Sequence, residues 1–189
     1  MFKRILYSFT TICFISSAPI FASSKHCKNS LTLENELVET SVNAFKKDIN
    51  PNGLAYLEKN IDSLRSGYKK FKCPLYQSYL GVIIGMKNAF VKDEKLLAKN
   101  FKESRGLLER SLSKTKRGNN ELYYLISLKN IARSYSYLPK HLDVYRSKAK
   151  ESLDKAKDIR TRLLSKNENK EVLALLGESL KRSNDRLSR

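Results

Sequence analysis

Residues 74–91 read PLYQSYLGVIIGMKNAFV and residues 121–137 read ELYYLISLKNIARSYSY. Wound at the helical period, both are apolar on most sides: Leu75, Tyr79, Val82, Ile83 and Met86 in the first, Leu122, Leu125, Leu128, Ile131 and Ala132 in the second. Helices of this kind have to be covered on more than one face. The segments between and around them differ. Leu54, Leu57, Ile61, Leu64 and Tyr68 recur at steps of three and four, as do Leu97, Phe101, Ser104, Leu108 and Leu112, so each segment carries one apolar stripe. Leu142, Tyr145, Ala149, Leu153, Ala156 and Ile159 repeat in the same way beyond Pro139. Buried helices alternating with one-sided ones of similar length predict stacked antiparallel helical hairpins.

The boundaries follow from caps and breakers. Leu37 or Val38, Val42, Phe45 and Ile49 predict a first helix from about 32 to 48. Asn50-Pro51 then supplies a cap and a first-turn proline for the second. Pro74 opens the third helix, running to about 92, and Asp93 marks a short turn into the fourth. Gly118-Asn119-Asn120 breaks the pattern before a fifth helix from about 120 to 137, and the sixth begins near Pro139. After the polar break Lys166–Lys170, Val172, Leu173, Leu176 and Leu180 predict a short last helix, with 182–189 as a flexible basic tail. With seven glycines and four prolines there are too few turn residues for a many-stranded β protein. The expected class is all-α, with six to seven helices in a single domain over 23–181.

The chain begins differently. An apolar run from Ile5 to Phe21 follows Lys3 and Arg4 and leads into Ala22-Ser23-Ser24, the pattern of a secretory signal peptide over 1–22, cleaved after Ala22 or Ser24. Ser8, Thr10, Thr11 and Pro19 dilute the run, which argues against a retained membrane anchor. Lys25 and His26 stand where a lipid-attachment motif at Cys27 would need small apolar residues. The expected location is periplasmic or secreted. Cleavage removes Cys13 and leaves Cys27 and Cys73, which in an oxidising compartment read as one disulfide. In the chain-entropy view such a bridge stabilises by about 4 kcal/mol.

Lys and Arg number 37 against 19 Asp and Glu, a formal net charge of +18 that falls by two when Lys3 and Arg4 leave. This excess favours anionic partners, among them the headgroups of envelope lipids and acidic protein surfaces. Export places the chain where nucleic acid is scarce, so nucleic-acid binding is disfavoured.

Leu80-Gly81 inside the third helix, and Ala149, Leu153 and Ala156 in the sixth, resemble the Leu-Gly pair and the spaced alanines of tetratricopeptide-like helical-repeat proteins, although no Trp opens a repeat. Tyr79-Leu80-Gly81, Glu121-Leu122-Tyr123-Tyr124, and Leu138-Pro139 with Tyr145 and Asp154 are also similar to a group of exported bacterial proteins of unassigned function, over about 75–165. The resemblance implies a tetratricopeptide-like fold and carries no catalytic residue across.

Candidate sites are weighed on that scaffold. Tyr76, Tyr79, Tyr123, Tyr124, Tyr135 and Tyr145, with Tyr137, either line a ligand groove or are core residues with hydroxyls reaching the surface. Lys148, Lys150, Lys155, Lys157 and Arg160 of the sixth helix form either an anion-binding surface or a solvated lysine halo. Gly81 and Gly85 make a G-x-x-x-G spacing that, flanked by Lys72 and Lys87, signals close packing in a soluble core. Catalysis has little to work with: two histidines, no phosphate loop, and no cysteine pair at metal spacing. No enzyme, metal or cofactor is expected. The leading expectation is a non-catalytic exported module that binds a protein or peptide through the face of its third, fifth and sixth helices. An inhibitor or immunity-type protein against an envelope-acting toxin or enzyme is the alternative, and association with anionic envelope lipid is a third reading.

Overall fold

The computed structural model describes residues 30–45, 52–167 and 169–189. Among them every regular element is helical: α1 (Ser30–Phe45), α2 (Gly53–Phe71), α3 (Pro74–Lys87), α4 (Glu94–Arg117), α5 (Glu121–Ser136), α6 (Asp143–Ser165) and α7 (Lys170–Leu187), with a single 3-10 turn, Asn88–Phe90, after α3. The all-α class read from periodicity is the class the chain adopts. The signal segment, Cys27 and the Asn50-Pro51 boundary lie outside the described residues.

Local chemistry sets the helix ends. Pro74 occupies the first turn of α3, where its missing N–H costs nothing. The Asp93 carboxylate accepts from the Leu96 N–H at 2.7 Å to cap α4, and the Asn120 side chain accepts from the Tyr123 N–H at 3.0 Å to cap α5. Four boundaries depart from the sequence reading. Helix α2 starts at Gly53 with Asn52 at its N-cap, two residues later than a first-turn Pro51 would place it. Helix α3 stops at Lys87 instead of near 92, because its last turn tightens into the 3-10 form and Val91 is extended. Helix α6 starts at Asp143, since Pro139 is spent in a turn in which the Leu142 N–H donates to its carbonyl at 3.0 Å. Helix α7 continues past Leu180 to Leu187: Ser183 is fully buried, and Arg146 donates to the carbonyls of Arg186 and Leu187.

Each helix packs on the next, and four further contacts link the odd-numbered helices: α3 on α5, α5 on α7, and α1 on both α3 and α7. Helices α3 and α5 are thereby covered on several sides, as their composition demands. Every residue from Leu75 to Ile84 is buried, and so is every residue from Leu125 to Ala132. In α1 the outcome differs from the expected stripe. The buried face is Leu33, Leu37, Thr40 and Ala44, while Val38, Val42 and Phe45 stay exposed.

Gly81 is where α3 and α4 come closest. The Ser104 hydroxyl donates to the Gly81 carbonyl at 2.7 Å, and a β-carbon at Gly81 would lie 2.8 Å from Leu108 Cγ and 3.0 Å from the Ser104 carbonyl oxygen. The latter is backbone and cannot swing aside. Gly81→Val should therefore lower stability by about 2 kcal/mol through overpacking, read as a lower urea midpoint at unchanged m-value.

Candidate binding cavity

Glu34 of α1 reaches the centre of the molecule. The Lys129 ammonium, from α5, donates to both of its carboxylate oxygens at 2.6 and 2.9 Å, and the Tyr79 hydroxyl, from α3, donates to one of them at 2.6 Å. Neither charged side chain is more than 2% exposed. Lys129 also lies over the Tyr79 ring, 5.6 Å from its centroid. Burial pushes the Lys129 ammonium down to about 8, reinforced by repulsion from Arg133 and Arg182 and opposed by the attraction of Glu34. Burial, and then Glu34, hold the Tyr79 hydroxyl well above its ordinary range. The site is a three-helix polar knot inside an apolar core.

One turn further along α5, Arg133 begins a different environment. Its guanidinium donates to Ser41 Oγ at 2.8 Å, and Ser41 in turn donates to the Leu37 carbonyl at 2.6 Å. Beyond this pair opens a cavity of about 660 Å³ between α1, α3, α4 and α5. Its walls are mostly apolar, built by Val42 and Phe45, by Val82 and Met86, and by Phe101. Gly85 also lines it; a β-carbon there meets only Ser104 Oγ, at 3.3 Å. The two glycines one turn apart thus do different things: Gly81 brings α4 in, and Gly85 leaves space. Asn88 and Ser134 are wall residues as well, and Asn88 Oδ1 and Ser134 Oγ are buried with no hydrogen-bond partner among the described residues. Unmatched polar atoms in an apolar wall cost free energy unless a water or a ligand meets them. Volumes of about 300–1,000 Å³ with few polar groups are typical of ligand sites.

The six candidate tyrosines do not converge on one groove. Tyr135 lines the cavity, together with Tyr137; Tyr79 belongs to the polar knot; Tyr76 is buried and stacks on Phe71 at 6.1 Å. Tyr145 packs edge-on against Phe101 and Tyr135, both at 5.3 Å, and its hydroxyl accepts from Arg105 at 2.7 Å. Tyr123 and Tyr124 are half-buried near the start of α5, away from the cavity wall. Of the basic set, Lys148 pairs with Glu109, Lys155 with Glu151, Lys157 donates to the Asn184 side chain, and Arg160 donates to the Leu173 carbonyl. Lys150 is exposed. Most of these cations are engaged in holding α6 to its neighbours or in pairs along it.

Glu34, Lys129 and Arg133 were missed as site residues. The available signal was a lone lysine in the otherwise apolar LISLKNIA, residues 125–132, and a glutamate adjoining Leu33 and one helical step from Leu37. Among the described residues no three His, Cys, Asp or Glu side chains gather as a metal site, and no helix is long and apolar enough to cross a membrane. Compared with protein-family models, curated proteins and solved structures, the chain matches none.

Removing one partner of a buried ion pair strands the other. Lys129→Met should cost about 3–5 kcal/mol, and Glu34→Leu/Lys129→Met should recover most of it, both read by chemical denaturation. The pair also has a pH signature. The unfolded lysine, near 10.4, keeps its proton over a range in which native Lys129 has released it, so this contribution to stability is fully present above the unfolded pKa and lost as pH falls through about 8. Above pH 10 Tyr79 acts oppositely, because the native state keeps a proton that the unfolded chain gives up. The unfolding free energy of the wild type minus that of Lys129→Met should therefore rise between about pH 8 and pH 10.

Proposed function

We propose that the chain is a non-catalytic exported helical-repeat module that binds a protein or peptide partner in the cell envelope, with the cavity between α1, α3, α4 and α5 as the seat of that partner's apolar anchors. The observation that carries this reading is the apolar cavity of about 660 Å³ opening beside exposed Val42, Phe45 and Tyr137. Exposed apolar residues gathered at a concave site mark interaction surfaces, whereas scattered ones need no explanation. The proposed face moves from the third, fifth and sixth helices to one in which α1 and α4 replace α6.

A tetratricopeptide-like stack is supported by the packing of α3 on α5 and α5 on α7 and by the close α3–α4 contact at Gly81. Export is supported by the basic start, the apolar run to Phe21 and the small residues after it. Cys73, buried at the N-cap of α3 and held in disulfide form, supports the pairing with Cys27. The non-catalytic reading rests on the sequence, in which a nucleophile would have only His141 to serve as its base.

The test is capture of partners from the source cell's envelope by the tagged protein at rising salt, in parallel with Ala89→Phe, which places a ring at the exposed edge of the cavity. A protein retained by the wild type at high salt and lost by the variant supports the reading. Retention only at low salt, equal for the two proteins, overturns it in favour of the basic surface. In the same preparation, an exported form beginning at residue 23 or 25 is the expected result of intact-mass measurement.

A further inference from the structure

A second recess, of about 180 Å³, shares Ser41, Val42, Arg133 and Tyr137 with the large cavity and adds Arg182 and Arg186 from α7. Three guanidinium groups therefore gather on one side of the apolar space. Arg186 is fixed there by stacking on the Tyr137 ring, 3.8 Å from its centroid. Arg182 and Arg186 form no ion pair with the described residues. The buried carboxylate among the described residues is Glu34, already bound by Lys129, while the charged form of Arg133 is disfavoured first by burial and then by Arg182 and Arg186, against the favourable pull of Tyr137 and Glu34. Positive charge exceeds negative at the mouth of a site whose far walls are apolar. Such a field selects an anion with an apolar body.

We infer that the occupant is the C-terminal end of an apolar peptide, its terminal carboxylate among Arg133, Arg182 and Arg186 and its last side chains in the cavity. This rests on the reading of the chain as a peptide-binding module and adds which part of the partner is read. Guanidinium forks match a planar carboxylate with two parallel hydrogen bonds. A lipid carrying an anionic head would satisfy the arginines too, but its acyl chain has no hydrogen-bonding groups, and Asn88 and Ser134 stand unpaired in the cavity wall. A peptide backbone supplies both N–H and C=O groups there, so either end of the Asn88 amide finds its complement. The volume takes a few residues only. With the cations on one side, a chain end fits where a helix or a folded surface does not. Capture of a terminal carboxylate together with the apolar side chains before it is a known mode of peptide recognition.

The experiment uses two pools of acetylated hexapeptides whose last three positions are randomised over Val, Leu, Ile, Phe and Tyr, one pool with a free C-terminus and one amidated. Binding to the purified protein is measured by equilibrium depletion and mass spectrometry, beside Arg182→Ala/Arg186→Ala and Ala89→Phe. The free-acid pool should bind at least tenfold more tightly than the amidated one. The arginine variant should erase that difference, and Ala89→Phe should weaken both pools, with circular dichroism unchanged. Arg182 is exposed and Arg186 makes its hydrogen bond to Arg146 through its backbone carbonyl, so the variant keeps that bond and gives up only the stacking of Arg186 on Tyr137. Equal binding of acid and amide, or an arginine variant that keeps the difference, overturns the inference and leaves a peptide-binding module standing. Binding of neither pool overturns it as well; if dodecanoate then binds and depends on Arg182 and Arg186, the mouth reads a fatty acid. Envelope capture fails or succeeds independently of these outcomes.

Discussion

Glu34 and Lys129 are buried against each other where α1, α3 and α5 meet, and Tyr79 completes the carboxylate's hydrogen bonds. Two charges taken out of water seldom add net stability over an apolar pair of the same size, because desolvation consumes the Coulombic gain. In some proteins such a pair instead selects one packing among several. Helix α1 presents that choice: Leu33, Leu37 and Ala44 form one apolar face, and Val38, Val42 and Phe45 lie on another, about 100° round the axis. Hydrophobic burial alone discriminates poorly between them. A carboxylate that must meet Lys129 decides it, since rolling α1 to bury the second face would withdraw Glu34 and leave the ammonium alone in the core.

The cavity depends on that decision. With α1 held by Glu34, the unburied residues Val42 and Phe45 become its wall, and Ser41 is presented to Arg133. The opposite wall depends on α3. Gly81 lets α4 approach until Ser104 bonds the α3 backbone, and Gly85, one turn on, adds no side chain to fill the space that results. Arg133 then joins the two regions: it follows Lys129 by one turn of α5, and it stands at the boundary between polar knot and apolar cavity. Structure and site share one set of constraints, which is why the same helix carries the buried lysine and the arginine at the mouth.

The helical class and the two central helices were legible because α3 and α5 carry apolar residues on every side, a pattern with one physical solution. Gly81 was legible as a close contact for a similar reason, since its flanking lysines exclude lipid. The orientation of α1 was not. Its two apolar faces are equivalent to a periodicity reading, which favoured Val42 and Phe45, and the pairing that breaks the tie joins residues far apart in sequence. The tyrosines misled in a related way. An amphipathic ring suits a groove or a core equally well, and only Tyr135 and Tyr137 lie on the cavity. The end of α7 was read short because Ser183 gives no apolar signal, although its burial and the reach of Arg146 to the last carbonyls keep the helix wound.

The claim at the centre is that the ion pair sets the rotation of α1 and so leaves the cavity wall in place. Methyl nuclear Overhauser contacts of Val42 in the Glu34→Leu/Lys129→Met protein test it most directly. The account predicts that, without the pair, α1 samples a second orientation, with doubled α1 resonances and contacts from Val42 to buried leucines. A single set of α1 signals, with Val42 still touching only residues at the cavity, would contradict it.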